Sequence, residues 1–126
     1  MIAGIGVDIV AVARIARILD QHGDHFARRL LADSEWQDYL ASPARAPFMA
    51  KRFAAKEAFG KALGTGIADG VTLPQIAVAH DPAGRPLLEL SGAAAAHCAR
   101  RGIVAWHLSL ADEQDHAVAM VVLECP

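Results

Sequence analysis

The spacing of hydrophobic and polar residues changes about halfway along the chain. In the first half, apolar residues recur every three or four positions, which predicts helices over about 12–22, 25–31, 34–41 and 47–63. A short apolar stretch over 2–10 comes before them and is typical of a buried strand. The first half is therefore predicted to be one strand followed by four helices.

The second half begins with a shorter, strand-like pattern. Apolar runs over 76–79 and 87–90 flank the turn sequence DPAGRP, which predicts a β-hairpin. After it, Ser91 is positioned to cap an alanine-rich helix that ends at Gly102.

A second hairpin is predicted near the end of the chain. Strands over 103–110 and 117–123 are joined by ADEQDH, and the last strand is apolar at every position, so we expect it to be covered on both faces. Early helices and late antiparallel strands predict an α+β fold, with an antiparallel sheet packed against helices. We find no linker or repeat, so residues 1–126 are expected to form one domain.

Composition narrows the classes of function. The apolar fraction is 54%, which favours self-association, and the net charge of −2 gives no reason to expect nucleic acid or a membrane as partner. Between Ala11 and Lys61 the sequence has nine Lys/Arg but only six Asp/Glu. This local excess of positive charge indicates either a docking surface for an acidic partner or an ordinary solvated surface. The first ten residues carry no basic leader, and two cysteines fit a reducing compartment, so we expect a cytoplasmic protein.

Asp8 is the only charged residue in the apolar stretch GIGVDIVAV. Burying an isolated carboxylate is costly, so Asp8 must be paired, hydrogen-bonded to backbone or bound to a cation. One alternative stays open, in which Asp8 ends the strand and caps the next helix. Gly4 and Gly6 in the same stretch mark places where another group approaches closely.

Glu57 is the one carboxylate in the basic segment KRFAAKEAFGKALGTG. On a helical wheel it shares a face with Phe53 and Lys61, so the simplest alternative is a solvated i,i+4 ion pair of Glu57 and Lys61, worth about 0.2–0.5 kcal/mol. Gly60 weakens that alternative, because glycine inside a helix costs about 1 kcal/mol relative to alanine. The Gly-Thr-Gly turn that follows has bare backbone that can approach a ligand.

Asp8 and Glu57 together suggest a magnesium site. Mg²⁺ takes one or two protein carboxylates and completes its shell with water and substrate phosphates, while nearby lysines neutralise the remaining phosphate charge. Scattered histidines and unpaired cysteines fit zinc poorly. The pattern alone is weak evidence, since most domains offer an Asp and a Glu.

The spacing and identity of two motifs are more specific. GIGVDI near the N-terminus, followed some fifty residues later by FAAKEAFGKALGTG, resembles the bacterial holo-acyl-carrier-protein synthases, the short class of 4′-phosphopantetheinyl transferases. The resemblance runs end to end, through RIAR, AGRP and WHLSLADEQDHAVAMVVLE.

This resemblance implies an enzyme of fatty acid biosynthesis that moves the 4′-phosphopantetheine arm of coenzyme A onto a serine of an apo-acyl carrier protein. Adenosine 3′,5′-bisphosphate leaves. Asp8 and Glu57 match the family's Mg²⁺ ligands, and Lys61 matches the lysine that stabilises charge on the phosphoryl group. The general base stays open between Glu57 and a water relayed through Asp8.

The resemblance also implies coenzyme A contacts and a homotrimer with active sites between subunits. An ordinary half-buried histidine and an ordinary turn residue remain alternatives for His107 and Arg85. The implied coenzyme A contacts are Arg52, Lys61, Gly64, Thr65, Gly66, Arg85, Pro86, His107 and Ser109. The implied carrier-docking residues are Arg14, Arg17, Arg28 and Arg45, with Arg29 also available.

Two departures from the family pattern and two rival functions stay open. Val10 stands where the longer transferases have a third carboxylate, which favours the short class with a water in that place. Asp20 and Asp24 dilute the basic docking helix. The rivals are another Mg²⁺ enzyme, such as a small nucleotide hydrolase, and a non-enzymatic adaptor whose basic face binds an acidic partner.

Overall fold

A computed structural model describes residues 1–126, and it has an α+β fold as the pattern predicts. Short 3-10 turns at Asp33–Glu35 and Leu73–Gln75 join some of the elements, and none of the helices is both long and apolar enough to cross a membrane. The strands are β1 (Ile2–Ala11), β2 (Ile76–His80), β3 (Pro86–Leu90), β4 (Ala105–Asp112) and β5 (His116–Glu124). The helices are α1 (Val12–His22), α2 (Asp24–Leu30), α3 (Trp36–Ala41), α4 (Arg45–Leu63) and α5 (Gly92–Arg100).

Two antiparallel sheets form from the five strands. The larger has the order β1-β5-β4 and the smaller is the β2-β3 hairpin. Both predicted hairpins are therefore confirmed. Local patterns did not indicate that β1 pairs with β5 from the far end of the chain, a pairing that places Asp8 opposite Ala119.

Several helix ends follow their sequence signals, but the predicted cap of α5 does not form: Ser91 occupies the N-cap without a side-chain hydrogen bond, and the helix ends at Arg100. Helix α1 has the predicted bounds, and Gly23 follows it with a φ of 54°, which a side chain would disfavour. Helix α4 begins at Arg45, two residues before the predicted start at Pro47, because proline is tolerated in the first turn, where its missing N–H has no partner to lose. Helix α3 starts at Trp36, since the preceding three residues form a 3-10 turn.

Helix α4 lies directly against β1, with two glycines at the point of contact. A Cβ added to Gly4 would lie 2.0 Å from the carbonyl oxygen of Ala62, and one added to Gly6 would lie 2.0 Å from that of Ala58. No atom of a side chain fits at such distances, so the predicted close approach is confirmed and the approaching group is the backbone of α4. We call this the β1–α4 contact.

The larger sheet buries only one of its faces within the subunit. Ala117, Ala119, Val121 and Leu123 of β5 are buried beneath α4, but Met120 between them is 47% exposed. The prediction that β5 is covered on both faces is therefore wrong for a single subunit. The uncovered side, which we call the outer sheet face, carries the apolar side chains of Ile5, Val7, Ile9, Val118, Met120 and Val122.

Candidate active site

Asp8 lies in the middle of β1 and points toward α4. The strand continues to Ala11, and Ala11 occupies the N-cap of α1 without a side-chain hydrogen bond. The alternative that Asp8 ends the strand and caps the helix is therefore wrong. The Asp8 side chain retains 16% of its exposure, so its carboxylate sits at the edge of the core with some access to solvent.

Lys61 is the partner of Asp8. Its Nζ donates to Oδ1 of Asp8 at 3.0 Å and to the carbonyl oxygen of Val7 at 3.0 Å. The i,i+4 ion pair with Glu57 does not form; the ion pair of Lys61 joins residues 53 positions apart instead. Lys61 is thus tied to the strand rather than to its own helix.

Glu57 shares the electrostatic environment of Asp8. Burial raises the pKa of the Glu57 carboxyl above its ordinary value, and the negative charge of Asp8 raises it further, while Lys61 and Arg14 oppose the shift. The two carboxylates repel each other in a partly buried place, and Lys61 and Arg14 together do not cancel the raised pKa of Glu57. A divalent cation bound to both carboxylates would offset this repulsion.

The two carboxylates fit a Mg²⁺ ion whose coordination shell is completed by water and substrate phosphates. The structure places no group of three or more His, Cys, Asp or Glu side chains together as a metal cage. Mg²⁺ does not require one, since it holds several waters and binds through one or two carboxylates plus substrate phosphates. Asp8 and Glu57 could supply two such carboxylates.

The Gly-Thr-Gly turn closes the end of α4 beside this site. Gly64 has a φ of 87°, and the N–H of Gly66 donates to the carbonyl oxygen of Gly60 at 3.0 Å. A Cβ on Gly60 would lie 3.0 Å from the backbone of Gly66, so glycine at position 60 admits this turn. The hydroxyl of Thr65 donates to the carbonyl oxygen of Gly66 at 2.7 Å.

Sequence reasoning missed a buried charge network centred on Glu35. Glu35 is fully buried, and its Oε1 accepts from Nζ of Lys56 at 2.5 Å and from the N–H of Ala32 at 2.9 Å. Its Oε2 accepts from Nη1 of Arg52 at 3.0 Å and from the N–H of Val78 at 3.3 Å. Four donors on one carboxylate satisfy it in the core, where an unpaired charge is not tolerated.

Arg52 is committed to this network, which corrects its expected contact with coenzyme A. Its guanidinium also donates to the carbonyl oxygen of Val78 at 2.6 Å and lies over the ring of Phe48. The side chain is only 6% exposed. The available signal was the stripe Arg52, Lys56, Phe59 and Leu63 on α4, whose helical spacing places both cations on an apolar face.

The expected coenzyme A contacts on the first hairpin and on β4 lie apart from Asp8, unlike Lys61 and the Gly-Thr-Gly turn. His107 and Ser109 of β4 alternate with inward side chains and belong to the outer sheet face, opposite to the side that Asp8 faces. Nε2 of His107 is 2.5 Å from Oε1 of Glu124. Arg85 precedes Pro86 at the first hairpin, with its Nε 3.3 Å from Oδ2 of Asp81. The chain by itself therefore does not bring these residues to the carboxylate pair.

The expected docking arginines form an exposed basic surface around α1. Arg14 lies over the ring of Phe53, Arg28 over Trp36 and Arg45 over Tyr39, with guanidinium carbons 5.7, 3.5 and 4.8 Å from the ring centroids. Such stacking holds each side chain while its charge stays in water. Arg17 and Arg29 are exposed too, and the acidic exceptions Asp20 and Asp24 line a cavity of about 320 Å³ next to Arg45.

Comparison with known proteins agrees with this geometry. Residues 4–121 match the model of the 4′-phosphopantetheinyl transferase superfamily, and the chain belongs to that family. A holo-[acyl-carrier-protein] synthase of Halorhodospira halophila (strain DSM 244 / SL1) is 53% identical over 123 residues, which is 98% of each chain.

Solved structures extend the likeness to three dimensions. The crystal structure of holo-[acyl-carrier-protein] synthase from Neisseria meningitidis has a TM-score of 0.94 at 41% identity, covering 98% of this chain and 99% of that one. The synthase of Bacillus anthracis str. Ames, solved in complex with CoA (3′,5′-ADP), has a TM-score of 0.81 at 38% identity, covering 100% of this chain and 99% of that one.

The raised pKa of Glu57 has a consequence for stability. Because folding raises this pKa above its ordinary value of 4.5, the folded state holds the proton more tightly than the unfolded state. The stabilising contribution is present at low pH and is lost as pH rises through the folded pKa. Deprotonating Glu57 therefore costs more in the folded state than in the unfolded state, and we expect Glu57→Gln to gain stability relative to the wild type as pH rises.

Thermal melts in metal-free buffer between about pH 4.5 and 7.5 measure this difference. The advantage of Glu57→Gln should shrink as pH falls, while Glu113→Gln, in the exposed β4–β5 turn, should show no such trend. A loss of stability in Glu57→Gln at every pH would show that its carboxylate contributes to the fold.

Proposed function

We propose that this protein transfers the 4′-phosphopantetheine group of coenzyme A to a serine of an apo-acyl carrier protein, in support of fatty acid biosynthesis. The observation that carries the proposal is the meeting of Asp8, Glu57 and Lys61 at the β1–α4 contact, in a chain of the transferase family. Relatives named holo-[acyl-carrier-protein] synthase and a relative solved with CoA support the same substrate pair.

The three side chains divide the work at the pyrophosphate. Asp8 and Glu57 would hold Mg²⁺, and the ion would offset the charge of the pyrophosphate oxygens. The carrier serine oxygen attacks the phosphorus of the pantetheine arm in line, and adenosine 3′,5′-bisphosphate leaves with the bridging oxygen. Lys61 stabilises the charge that gathers on the phosphoryl oxygens. The acceptor of the serine proton is either Glu57 or a water positioned through Asp8.

The division of the coenzyme A contacts between two faces supports a homotrimer with shared sites. Gly64, Thr65 and Gly66 lie at the end of α4, near Lys61, whereas His107 and Ser109 lie on the outer sheet face. On that face Ile5, Val7 and Ile9 are 63%, 59% and 64% exposed, an apolar surface that a monomer would leave in water. We propose that copies of the chain cover it, and that Arg85, Pro86, His107 and Ser109 complete the neighbour's site.

The proposed location is the cytoplasm. Cys98 and Cys125 are both free thiols, and Cys98 is buried. Burial raises the pKa of the Cys98 thiol, which keeps it protonated and unreactive. A reducing compartment suits both residues.

Intact mass spectrometry of an apo-carrier incubated with coenzyme A and Mg²⁺ tests the reaction directly. We expect the carrier to gain the mass of phosphopantetheine, and Asp8→Asn and Glu57→Gln to remove most of this gain while still folding. The reason is that each variant removes one of only two carboxylates available to the metal. No mass gain with any carrier, or hydrolysis of nucleotides instead, would favour the rival hydrolase.

The carrier-docking surface predicts a substrate-specific effect of charge. Arg14→Glu should raise the KM for the carrier several-fold and leave the KM for coenzyme A nearly unchanged, because rim charges mainly steer association. About 0.5 M salt should reduce the difference by screening. Arg100→Glu, the same reversal on exposed α5, is the matched control. Equal losses for both substrates would move the docking surface elsewhere.

A further inference from the structure

Lys61 occupies the position of a cation at the carboxylate pair. Its ammonium contacts Oδ1 of Asp8 and the carbonyl oxygen of Val7, both at 3.0 Å. These are oxygen ligands of the kind that Mg²⁺ selects. The Lys61 side chain is nevertheless 54% exposed, so its ammonium can leave Asp8 without opening the core.

Lys56, five residues earlier on the same helix, shows what a fixed lysine looks like here. Its side chain is 0% exposed, and its ammonium donates to the carbonyl oxygen of Leu30 at 2.7 Å, to Glu35 at 2.5 Å and to the carbonyl oxygen of Leu73 at 3.2 Å. Lys61 has two partners and open solvent on its other side. The helix thus carries one fixed ammonium and one displaceable ammonium.

We propose that Lys61 is the internal counter-ion of the Asp8–Glu57 pair in the free protein and makes metal binding depend on a phosphate-bearing ligand. This proposal rests on the proposed function, because it takes the two carboxylates as the metal site. An ammonium on Oδ1 of Asp8 blocks that oxygen and repels a divalent ion. The free protein therefore binds the metal poorly.

The phosphates of coenzyme A change this balance. They offer Lys61 an alternative anion within reach of a flexible four-carbon side chain. When Lys61 turns to the phosphates, Asp8 becomes free to bind the metal, so the two ligands strengthen each other's binding. Such coupling is reciprocal, and removing the ammonium should abolish it in both directions. Lys61 thereby sets the order of assembly, with metal and coenzyme entering together.

Mn²⁺ binding, followed by the EPR signal of the free ion, tests this role without turnover. The titration is done on the whole protein, alone and with saturating coenzyme A, and no carrier is added. We expect Lys61→Met alone to bind Mn²⁺ at least about threefold more tightly than the wild type, since a partly exposed ion pair is worth a few-fold in affinity. With coenzyme A present, the advantage should disappear or reverse.

Two further variants distinguish a failure of the Lys61 proposal from a failure of the proposed metal site. Lys51→Met removes the same charge from α4 ten residues away and should bind Mn²⁺ like the wild type. Asp8→Asn should lose Mn²⁺ binding in all conditions. If Asp8→Asn still binds the ion as the wild type does, the proposed metal site is wrong. The other outcome concerns Lys61 itself. If Asp8→Asn loses the ion, and Lys61→Met binds Mn²⁺ no more tightly than the wild type or neither of these two proteins binds it detectably, the role of Lys61 as counter-ion is wrong.

Discussion

The β1–α4 contact is the constraint on which the rest of this structure depends. Two carbonyl oxygens of α4 lie 2.0 Å from where the Cβ atoms of Gly4 and Gly6 would be, so strand and helix meet backbone to backbone. At this distance the next inward residue of the strand, Asp8, reaches Lys61, and its charge reaches Glu57. A side chain on either glycine would separate the two elements that carry the carboxylates, and the site would be lost with the contact.

Helix α4 keeps its place because its charges are divided between two sides. On one side Arg52 and Lys56 bind the buried carboxylate of Glu35, which ties the helix to the segment before α3 and to β2. Removing one member would leave an uncompensated buried charge, a change that typically costs about 3–5 kcal/mol. On the other side Glu57 and Lys61 face β1 and stay partly open to solvent. Arg52 and Lys56 therefore anchor the helix, whereas Glu57 and Lys61 remain available for chemistry.

The local sequence pattern was sufficient to predict much of the fold and to single out the two carboxylates, Asp8 and Glu57. The bounds of α1 and both hairpins follow from residue spacing and turn residues alone, because neighbours in sequence decide them. Gly4 and Gly6 also marked a close approach, but the sequence did not show that the approaching group is α4. Asp8 stood out since a lone carboxylate in an apolar strand needs a partner. Partners distant in sequence were not accessible in this way. The Lys61–Asp8 pair and the Glu35 network each join residues far apart, so i,i+4 spacing offered only Glu57 as an ion-pair partner for Lys61, and no local signal showed that Arg52 binds Glu35.

The transfer rate per folded molecule of Gly6→Ala tests the central role of the β1–α4 contact most directly. One added methyl group must displace α4 from Asp8, and an error of about 1 Å in such a site can cost roughly a hundredfold in rate. The control is Gly102→Ala, between α5 and β4 and outside the proposed site residues, where the φ of 70° disfavours a side chain but nothing lies within 4 Å of the added atom. We expect folded Gly102→Ala to transfer at nearly the wild-type rate, even if it is less stable, and Gly6→Ala to lose at least about tenfold, or to fail to fold. A folded Gly6→Ala that transfers at the wild-type rate would contradict the account.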